Sequence, residues 1–363
     1  SASSRIRDKN LRAKEGASMA KVSYRAYASI KDYENDNSLS IASLSVSYPD
    51  LARHSLTMGH YLGHPVSLLG RLSYLCTIFA SLERNRGRYR TRPFYSNAEP
   101  SFKTDISFKL GMLAARIVSE KVYKTSLLLH LTDPRLSISP HNASRPDYFA
   151  PENNMLIEAK GTVLNRVSLS KAKKAKRQLQ TIGSVTYESN QPVFPKVRKV
   201  ICSCFADSDC LTYCDIDPVE TGDTDISFDI NRATYLYYSD WIRLLSTHST
   251  NIEKAKRETY CGITYTTFNL SPLLKVGIQE RLFDLLSSES IQPEKSIEYR
   301  SVQNIVGEIK VKLADLPHTK DIRNESSISQ GLDGLLVETS DSFAKKASEI
   351  SYWLESLSFN FPE

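Results

Sequence analysis

A predicted tight turn between two short strand-like runs constrains the fold of this sequence most. The turn spans residues 151–154, where Pro151 presets φ and Asn154 tolerates the left-handed region. The flanking runs, residues 147–150 and 155–160, are therefore predicted to pair antiparallel as a β-hairpin. A hairpin of this kind fixes which side chains face each other, so it also makes a specific prediction about chemistry.

The register of the predicted hairpin follows from the turn. If Ala150 lies opposite Met155, then Asp147 lies opposite Glu158. Directly opposed Cβ atoms are about 4.5–5.5 Å apart. Strand alternation places Lys160 on the same face as Glu158, because successive side chains point to opposite faces. The sequence thus predicts two carboxylates and one ammonium group on a single patch.

Two opposed carboxylates near a sheet interior repel each other, so they need a shared proton, a cation or a metal. Oxygen ligands from Asp147, Glu158 and the backbone carbonyl of Ala159 suit Mg²⁺ or Mn²⁺. Lys160 would orient the attacking water or help to deprotonate it, which is typical of metal-assisted phosphodiester hydrolysis. The alternative is a surface hairpin whose two acids and lysine form an ordinary salt bridge.

These residues resemble the PD-(D/E)xK nuclease superfamily, the restriction-endonuclease-like fold. The resemblance rests on Pro146-Asp147 and Glu158-Ala159-Lys160 and covers about residues 108–205. It implies an α/β fold with an αβββαβ core, a mixed sheet, and flanking helical or mixed domains. The sequence patterns agree with that order: a helix over 108–122, three strands, a helix over 170–182 and a strand over 197–205.

The resemblance implies roles for individual residues. Asp147 and Glu158 would be metal ligands and Lys160 the catalytic lysine. Many members of the family add an acidic residue from the first core helix, and Glu120 is the residue that fits this position. The alternative for Glu120 is an ion pair with a neighbouring lysine at the end of the helix.

A basic helix is predicted after the hairpin, over residues 171–182, with Ser170 as its N-cap. Between Lys160 and Val200 the sequence has ten Lys and Arg residues and a single acid, Glu188. Cations crowd the first turns, where the helix dipole disfavours them, so contacts with phosphates are expected. A solvated lysine face is the alternative. The candidate nucleic-acid-binding residues are Lys171, Lys173, Lys174, Arg177 and Gln178.

The length of 363 residues favours two or three domains, and 40% hydrophobic residues suffice for a sizeable core. We predict a mainly helical region over 1–100, the nuclease core over 101–215 and a mixed or helical region over 216–363. The last region includes a strand-like run at 234–238 and is a candidate for binding a partner or a target. No apolar run reaches about 18 residues, so no transmembrane helix and no membrane partner are expected.

The leading functional prediction is a Mg²⁺- or Mn²⁺-dependent endonuclease, with DNA favoured over RNA, in a restriction or anti-phage defence system. The alternatives are a non-catalytic nucleic-acid-binding or assembly subunit that retains the fold, and an RNase. Contacts with a protein partner or a second copy would use the flanking regions. Six cysteines in a chain of this length suggest reduced thiols and a cytoplasmic location, with a zinc site at residues 202–214 as the alternative.

Overall fold

The computed structural model has a mixed α/β architecture, which confirms the predicted fold class. No helix in the described part of the chain is both long and apolar enough to cross a membrane. The described residues are 19–58, 68–93, 98–141, 145–188, 191–217, 222–246, 255–287, 296–315, 327–340 and 342–346.

Strands and helices alternate irregularly along the chain, and a short 3₁₀ turn lies at Pro151–Asn153. The strands are β1 Ala20–Tyr27, β2 Ser40–Val46, β3 Leu82–Asn85, β4 Arg88–Thr91, β5 Leu129–His130, β6 Ile138–Ser139, β7 Tyr148–Ala150, β8 Met155–Gly161, β9 Ile182–Glu188, β10 Gln191–Val193, β11 Val197–Phe205, β12 Cys210–Ile216, β13 Thr224–Phe228, β14 Lys256–Tyr260, β15 Ile263–Ser271, β16 Leu274–Gln279, β17 Ile328–Gln330 and β18 Leu335–Thr339. The helices are α1 Ile30–Glu34, α2 Tyr48–Thr57, α3 Leu68–Ser81, α4 Pro100–Lys121, α5 Leu169–Gln180, α6 Ala206–Asp209, α7 Ile230–Ser246, α8 Glu280–Ser287, α9 Tyr299–Ala314 and α10 Phe343–Lys346.

The central sheet carries the predicted hairpin. Its strand order is β2-β1-β12-β11-β8-β7-β5, and the β3–β4 hairpin is attached beside β12. Strands β5, β7 and β8 are antiparallel neighbours, whereas β11 pairs with β8 in parallel. A parallel pair requires a long crossover connection, and the segment that contains α5 provides it. Among the described strands, β2 and β5 are the first and last strands of this order.

Two smaller sheets complete the described fold. One has the strand order β10-β9-β13-β6, and its strands β9 and β10 lie in the connection between β8 and β11. The other, formed by β14-β15-β16-β18-β17, belongs to the C-terminal third of the chain. Helix α2 packs against β17 and β18, so the N-terminal and C-terminal parts of the chain are in direct contact.

Two glycines allow α4 to touch β8 directly. A Cβ atom at Gly161 would lie 1.7 Å from the carbonyl oxygen of Ser107, and one at Gly111 would lie 2.6 Å from the carbonyl carbon of Lys160. Only glycine fits such a close approach of two backbones. Since Gly161 faces α4, strand alternation turns Lys160 and Glu158 to the opposite face, where α5 packs.

Helix α5 begins earlier than the sequence predicted, so Ser170 is not its N-cap. The hydroxyl of Ser168 accepts the backbone N–H of Lys171, and Ser170 lies inside the first turn. The reason is an anchor before the helix: the hydroxyl of Tyr33 donates to the carbonyl of Val167 over 2.9 Å. Ala172, Ala175 and Leu179 are fully buried and form the apolar side of this helix.

Outside the core, the strand predicted over 234–238 is wrong, because this run is helical. The described part of residues 1–100 contains four strands beside helices α1, α2 and α3, and β1 and β2 belong to the central sheet. Strand β1 alternates buried and more exposed residues, which is the period expected of a strand. The run at 234–238 lies inside α7, because its aromatic residues continue an amphipathic helix that starts at Ile230.

Candidate active site

The hairpin forms in the predicted register. Tyr148 pairs with Ile157, and Ala150 pairs with Met155. The connection is a 3₁₀ turn that ends at Asn154, whose φ of 49° is left-handed, as expected for an asparagine at this position. Continuing this register by one pair beyond the ladder brings the two predicted acids face to face.

Backbone N–H groups hold the two acids in a reciprocal arrangement. The N–H of Asp147 donates to Oε2 of Glu158 over 3.2 Å, and the N–H of Ala159 donates to Oδ2 of Asp147 over 2.8 Å. The ammonium group of Lys160 donates to Oε1 of Glu158. The structure therefore brings together Asp147, Glu158 and Lys160, the three residues that the sequence selected as catalytic.

Burial makes negative charge costly at this patch. It raises the pKa of Glu158 to about 8, with further help from the negative charge of Asp147 and against the opposing effect of Lys160. Burial also raises the pKa of Asp147, although Lys160 and the N–H of Ala159 act in the opposite direction. One lysine is thus too little positive charge for a buried and a half-buried carboxylate when both are ionised, which is the condition that a bound cation relieves.

The available ligands are oxygens. In an extended strand the N–H and C=O of one residue point to the same edge, so the carbonyl of Ala159 lies on the edge where its N–H meets Asp147. Two carboxylates and a carbonyl fit a hard cation such as Mg²⁺ or Mn²⁺, which keeps several waters. Among the described residues, no group of three His, Cys, Asp or Glu side chains is gathered for a metal, so side chains alone do not complete a site here.

Glu120, the further ligand implied by the family resemblance, lies in a different cluster. Its carboxylate accepts hydrogen bonds from both terminal nitrogens of Arg53, at 2.5 and 2.9 Å. The sequence suggested a neighbouring lysine as the partner of Glu120, but its partner in the structure is Arg53. Glu120 would have to leave Arg53 to reach a metal, so we keep it outside the donor set of the proposed site.

Sequence reasoning missed Arg53 altogether. This arginine is completely buried on α2, where it also donates to the hydroxyl of Ser329 over 2.9 Å. The helix around it also contains Asp50, His54 and Ser55, so the local sequence gave no signal that this one charged residue is buried and paired. The residues that pair with it lie far away in sequence, so no local pattern pointed to them.

The predicted nucleic-acid-binding helix presents most of its cations to solvent. Lys171, Lys173, Lys174 and Arg177 are exposed, whereas Gln178 is half-buried. Helix α5 packs against β8, the strand that carries Glu158 and Lys160, so its cations lie on an element adjacent to the strand of the site. Exposed cations next to a negatively charged site are suitably placed for the phosphates of a bound chain.

The cysteines of the alternative zinc site lie in adjacent strands. Cys202 pairs with Cys214 across β11 and β12, and Sγ of Cys204 lies 4.0 Å from Sγ of Cys214. Burial and the neighbouring Cys204 raise the pKa of the Cys202 thiol, which favours the protonated form over the thiolate that zinc requires.

The comparisons with known proteins found no relative. No protein-family model, no curated protein and no solved structure matches this chain. The functional conclusion therefore depends on the geometry and the chemistry of the site.

Proposed function

We propose that this chain is a metal-dependent nuclease that hydrolyses phosphodiester bonds, with DNA as the favoured substrate and an endonucleolytic mode of cleavage. One observation carries the proposal: the half-buried Asp147 and the buried Glu158 lie against each other, and Lys160 is the one cation that the described residues place on them. A structural ion pair of this size would have equal numbers of opposite charges. When both carboxyl groups are ionised, the patch has one more negative than positive charge, which suits a divalent cation.

The order of elements around the site supports the same proposal. Helix α4, the antiparallel strands β5, β7 and β8, helix α5 and the parallel strand β11 occur in this order along the chain, with β6, β9 and β10 of a smaller sheet between them. Within the central sheet this order agrees with the αβββαβ order that the resemblance to the PD-(D/E)xK superfamily implies. A role in restriction or anti-phage defence stays a prediction from that resemblance.

The chain's own residues have distinct tasks in the proposed reaction. Asp147, Glu158 and the carbonyl of Ala159 would hold Mg²⁺ or Mn²⁺, which supplies positive charge to the scissile phosphate and favours ionisation of a water. Lys160 is half-exposed, so it is open to substrate and would orient the attacking water. The exposed cations of α5 would bind backbone phosphates on either side of the cleaved bond.

Plasmid nicking with Mg²⁺, Mn²⁺ or EDTA tests the proposal. We expect nicking with either metal and none with EDTA. Lys160→Ala should reduce the rate at least about 100-fold, because positioned proton-transfer groups contribute about 10²–10⁴-fold. Lys256→Ala, which removes an exposed lysine on β14, is the matched control and should cleave like the wild type.

The outcomes also separate the alternative functions. Undiminished nicking by Lys160→Ala contradicts the assignment of the catalytic lysine. Cleavage of structured RNA but not of plasmid identifies an RNase. Binding of DNA without cleavage under any metal condition identifies a non-catalytic binding or assembly subunit.

A further inference from the structure

Strand β2 lies at one edge of the central sheet. It lacks the features that usually prevent an edge strand from pairing with a strand of another chain. Residues Ser40–Val46 include no charged residue and no proline, and their register with β1 is uninterrupted. Leu39 is 72% exposed and Ile41 is 70% exposed, the highest values among the large hydrophobic residues of the described chain. Native edge strands normally carry lysine, proline or a bulge, because an open edge binds other strands.

The direction of the free backbone groups on β2 follows from its neighbour. The carbonyl of Tyr27 accepts the N–H of Asp217, which follows β12, so the odd-numbered residues of β1 direct their polar groups towards β12. The even-numbered residues of β1 then bond to β2, where the register pairs them with even-numbered residues. The N–H and C=O groups of Ile41, Ser43 and Ser45 therefore point outward, and no described strand pairs with them.

We propose that β2 binds antiparallel to β2 of a second copy of this chain, around a two-fold axis at Ser43. In this register Ser43 of one copy lies opposite Ser43 of the other. Ile41 of each copy lies opposite Ser45 of the other copy. All outward backbone groups of β2 are then paired, and the central sheets of the two copies become one continuous sheet. A two-fold contact closes on itself and does not propagate into a fibre.

The charges at the two ends of β2 favour a second copy over an extended segment of another protein. The segment that leads into β2 has three acids and one lysine, and the opposite end is basic. Lys21 donates to the hydroxyl of Ser45 over 2.7 Å, and its backbone N–H donates to the carbonyl of Gly87 in an arginine-containing turn. In the antiparallel dimer, the acidic end of each copy lies next to the basic end of the other copy. The favourable interaction between opposite charges therefore occurs twice. The acidic end has Asp32, Glu34 and Asp36 with Lys31, and Arg25 of β1 lies 3.6 Å from Asp36; the basic end has Lys21, Arg86 and Arg88.

Sedimentation velocity of the full chain over a dilution series tests this dimer. We expect the wild type to shift towards twice the monomer mass as its concentration rises. Ile41→Lys places two cations at the paired edges and should sediment as a monomer throughout. The matched control is Val311→Lys, which changes a 61% exposed residue on α9, away from the edge, and should dimerise like the wild type.

Two variants with one introduced cysteine each test the register. Opposed residues that exchange hydrogen bonds have Cα atoms about 5.5 Å apart, within the range for a disulfide. Ser43→Cys should therefore cross-link to itself under mild oxidation. Ile41→Cys should not, because the two Ile41 positions would be about 13 Å apart. Wild-type protein controls for the native thiols, of which the half-buried Cys261 is the most accessible described one.

A wild type that stays monomeric, or an Ile41→Lys variant that dimerises as well as Val311→Lys, overturns the proposal. Cross-linking of Ile41→Cys that equals or exceeds that of Ser43→Cys overturns the register. Thermal unfolding curves of the variants show whether a loss of dimer reflects a loss of fold. If Ile41→Lys does not fold, the comparison of Ser43→Cys with Ile41→Cys decides. None of these results depends on nuclease activity.

Discussion

Two clusters of buried charges in this protein are balanced in different ways. In the first, Arg53 binds Glu120 with two hydrogen bonds and lies 3.6 Å from Asp333, while Asp50 lies 3.1 Å from Lys121. Burial alone would raise the pKa of Asp50, but the positive charges of Lys121 and Arg53 outweigh it and lower the pKa to about 2. Each acid in this cluster has a nearby cation.

In the second cluster, Asp147 and Glu158 share the single cation Lys160. Here burial outweighs the opposing effect of Lys160, so the pKa of both acids is raised. The buried Asp50 and the buried Glu158 therefore have pKa values shifted in opposite directions, depending on whether nearby cations match the acids. We infer that the first cluster holds α2, α4 and the C-terminal sheet together, whereas the second is kept short of positive charge so that it can bind a cation.

Removing Arg53 should break the balanced cluster and cause the largest loss of stability. Arg53→Leu removes the arginine that binds Glu120 and leaves Asp333 with Arg116, 3.9 Å away; breaking such a buried pair typically costs about 3–5 kcal/mol. Urea unfolding measures the loss. The control is Arg257→Leu, which removes a surface ion pair with Glu280 in which the arginine is 76% exposed, and should change stability by less than about 1 kcal/mol. Equal effects of the two substitutions would contradict the structural role of the buried cluster.

Neutralising Glu158 should have the opposite effect in the unbalanced cluster. Its folded-state pKa of about 8 exceeds the ordinary value of 4.5, so the protonated form favours folding. That contribution is present below the ordinary value and is lost as pH rises through about 8. Glu158→Gln should therefore stabilise the metal-free protein by on the order of 2 kcal/mol at about pH 9, and much less at about pH 5.

Unfolding of this variant in EDTA at both pH values measures the difference. Asp284→Asn, which neutralises an exposed acid on α8, is the control and should show no such dependence on pH. Destabilisation by Glu158→Gln at alkaline pH would show that Glu158 is satisfied by Lys160 alone.

The affinity for a metal should also depend on pH. A cation binds the ionised carboxylates, so below about pH 8 its binding must release the proton of Glu158. We expect the affinity for Mn²⁺ to fall about tenfold for each pH unit below that value. Calorimetric titrations at several pH values measure the affinity, and buffers of different ionisation enthalpy count the released protons. An affinity that is independent of pH between about 6 and 8 would contradict the raised pKa.

The exposed cations of α5 should have the smallest individual effects, because solvent already satisfies them. Lys173→Ala should weaken binding of duplex DNA uniformly across sequences and reduce the slope of log affinity against log salt by about 1. Fluorescence anisotropy in a salt series measures both quantities, with Lys256→Ala as the control. An unchanged slope would assign Lys173 to the solvated face of the helix.

The sequence predicted the candidate site more accurately than the fold around it. A tight turn and strand alternation are local, so they were sufficient to bring Asp147 opposite Glu158 and to align Lys160 with them. The start of α5 was misplaced because two serines can both cap a helix, and the deciding contact comes from the distant Tyr33. The local pattern alone could not choose between them.

The interactions that sequence reasoning missed are long-range. Glu120 was compared with adjacent lysines, but its partner is Arg53, 67 positions away. The membership of β1 and β2 in the central sheet was missed for a similar reason. β1 pairs with β12 almost two hundred residues later, and no periodicity within either strand encodes that pairing. Such pairings are decided by the packing of the whole chain.

The contact between Gly161 and α4 has a consequence for the evolution of this site. Because the two backbones touch directly behind Lys160, almost any side chain introduced at Gly161 or Gly111 would push β8 away from the helix. The lysine would then move relative to the acid on the neighbouring strand, although none of the reacting groups had changed. Mutational tolerance should therefore be as low at these two glycines as at the charged residues in front of them, for reasons of space alone.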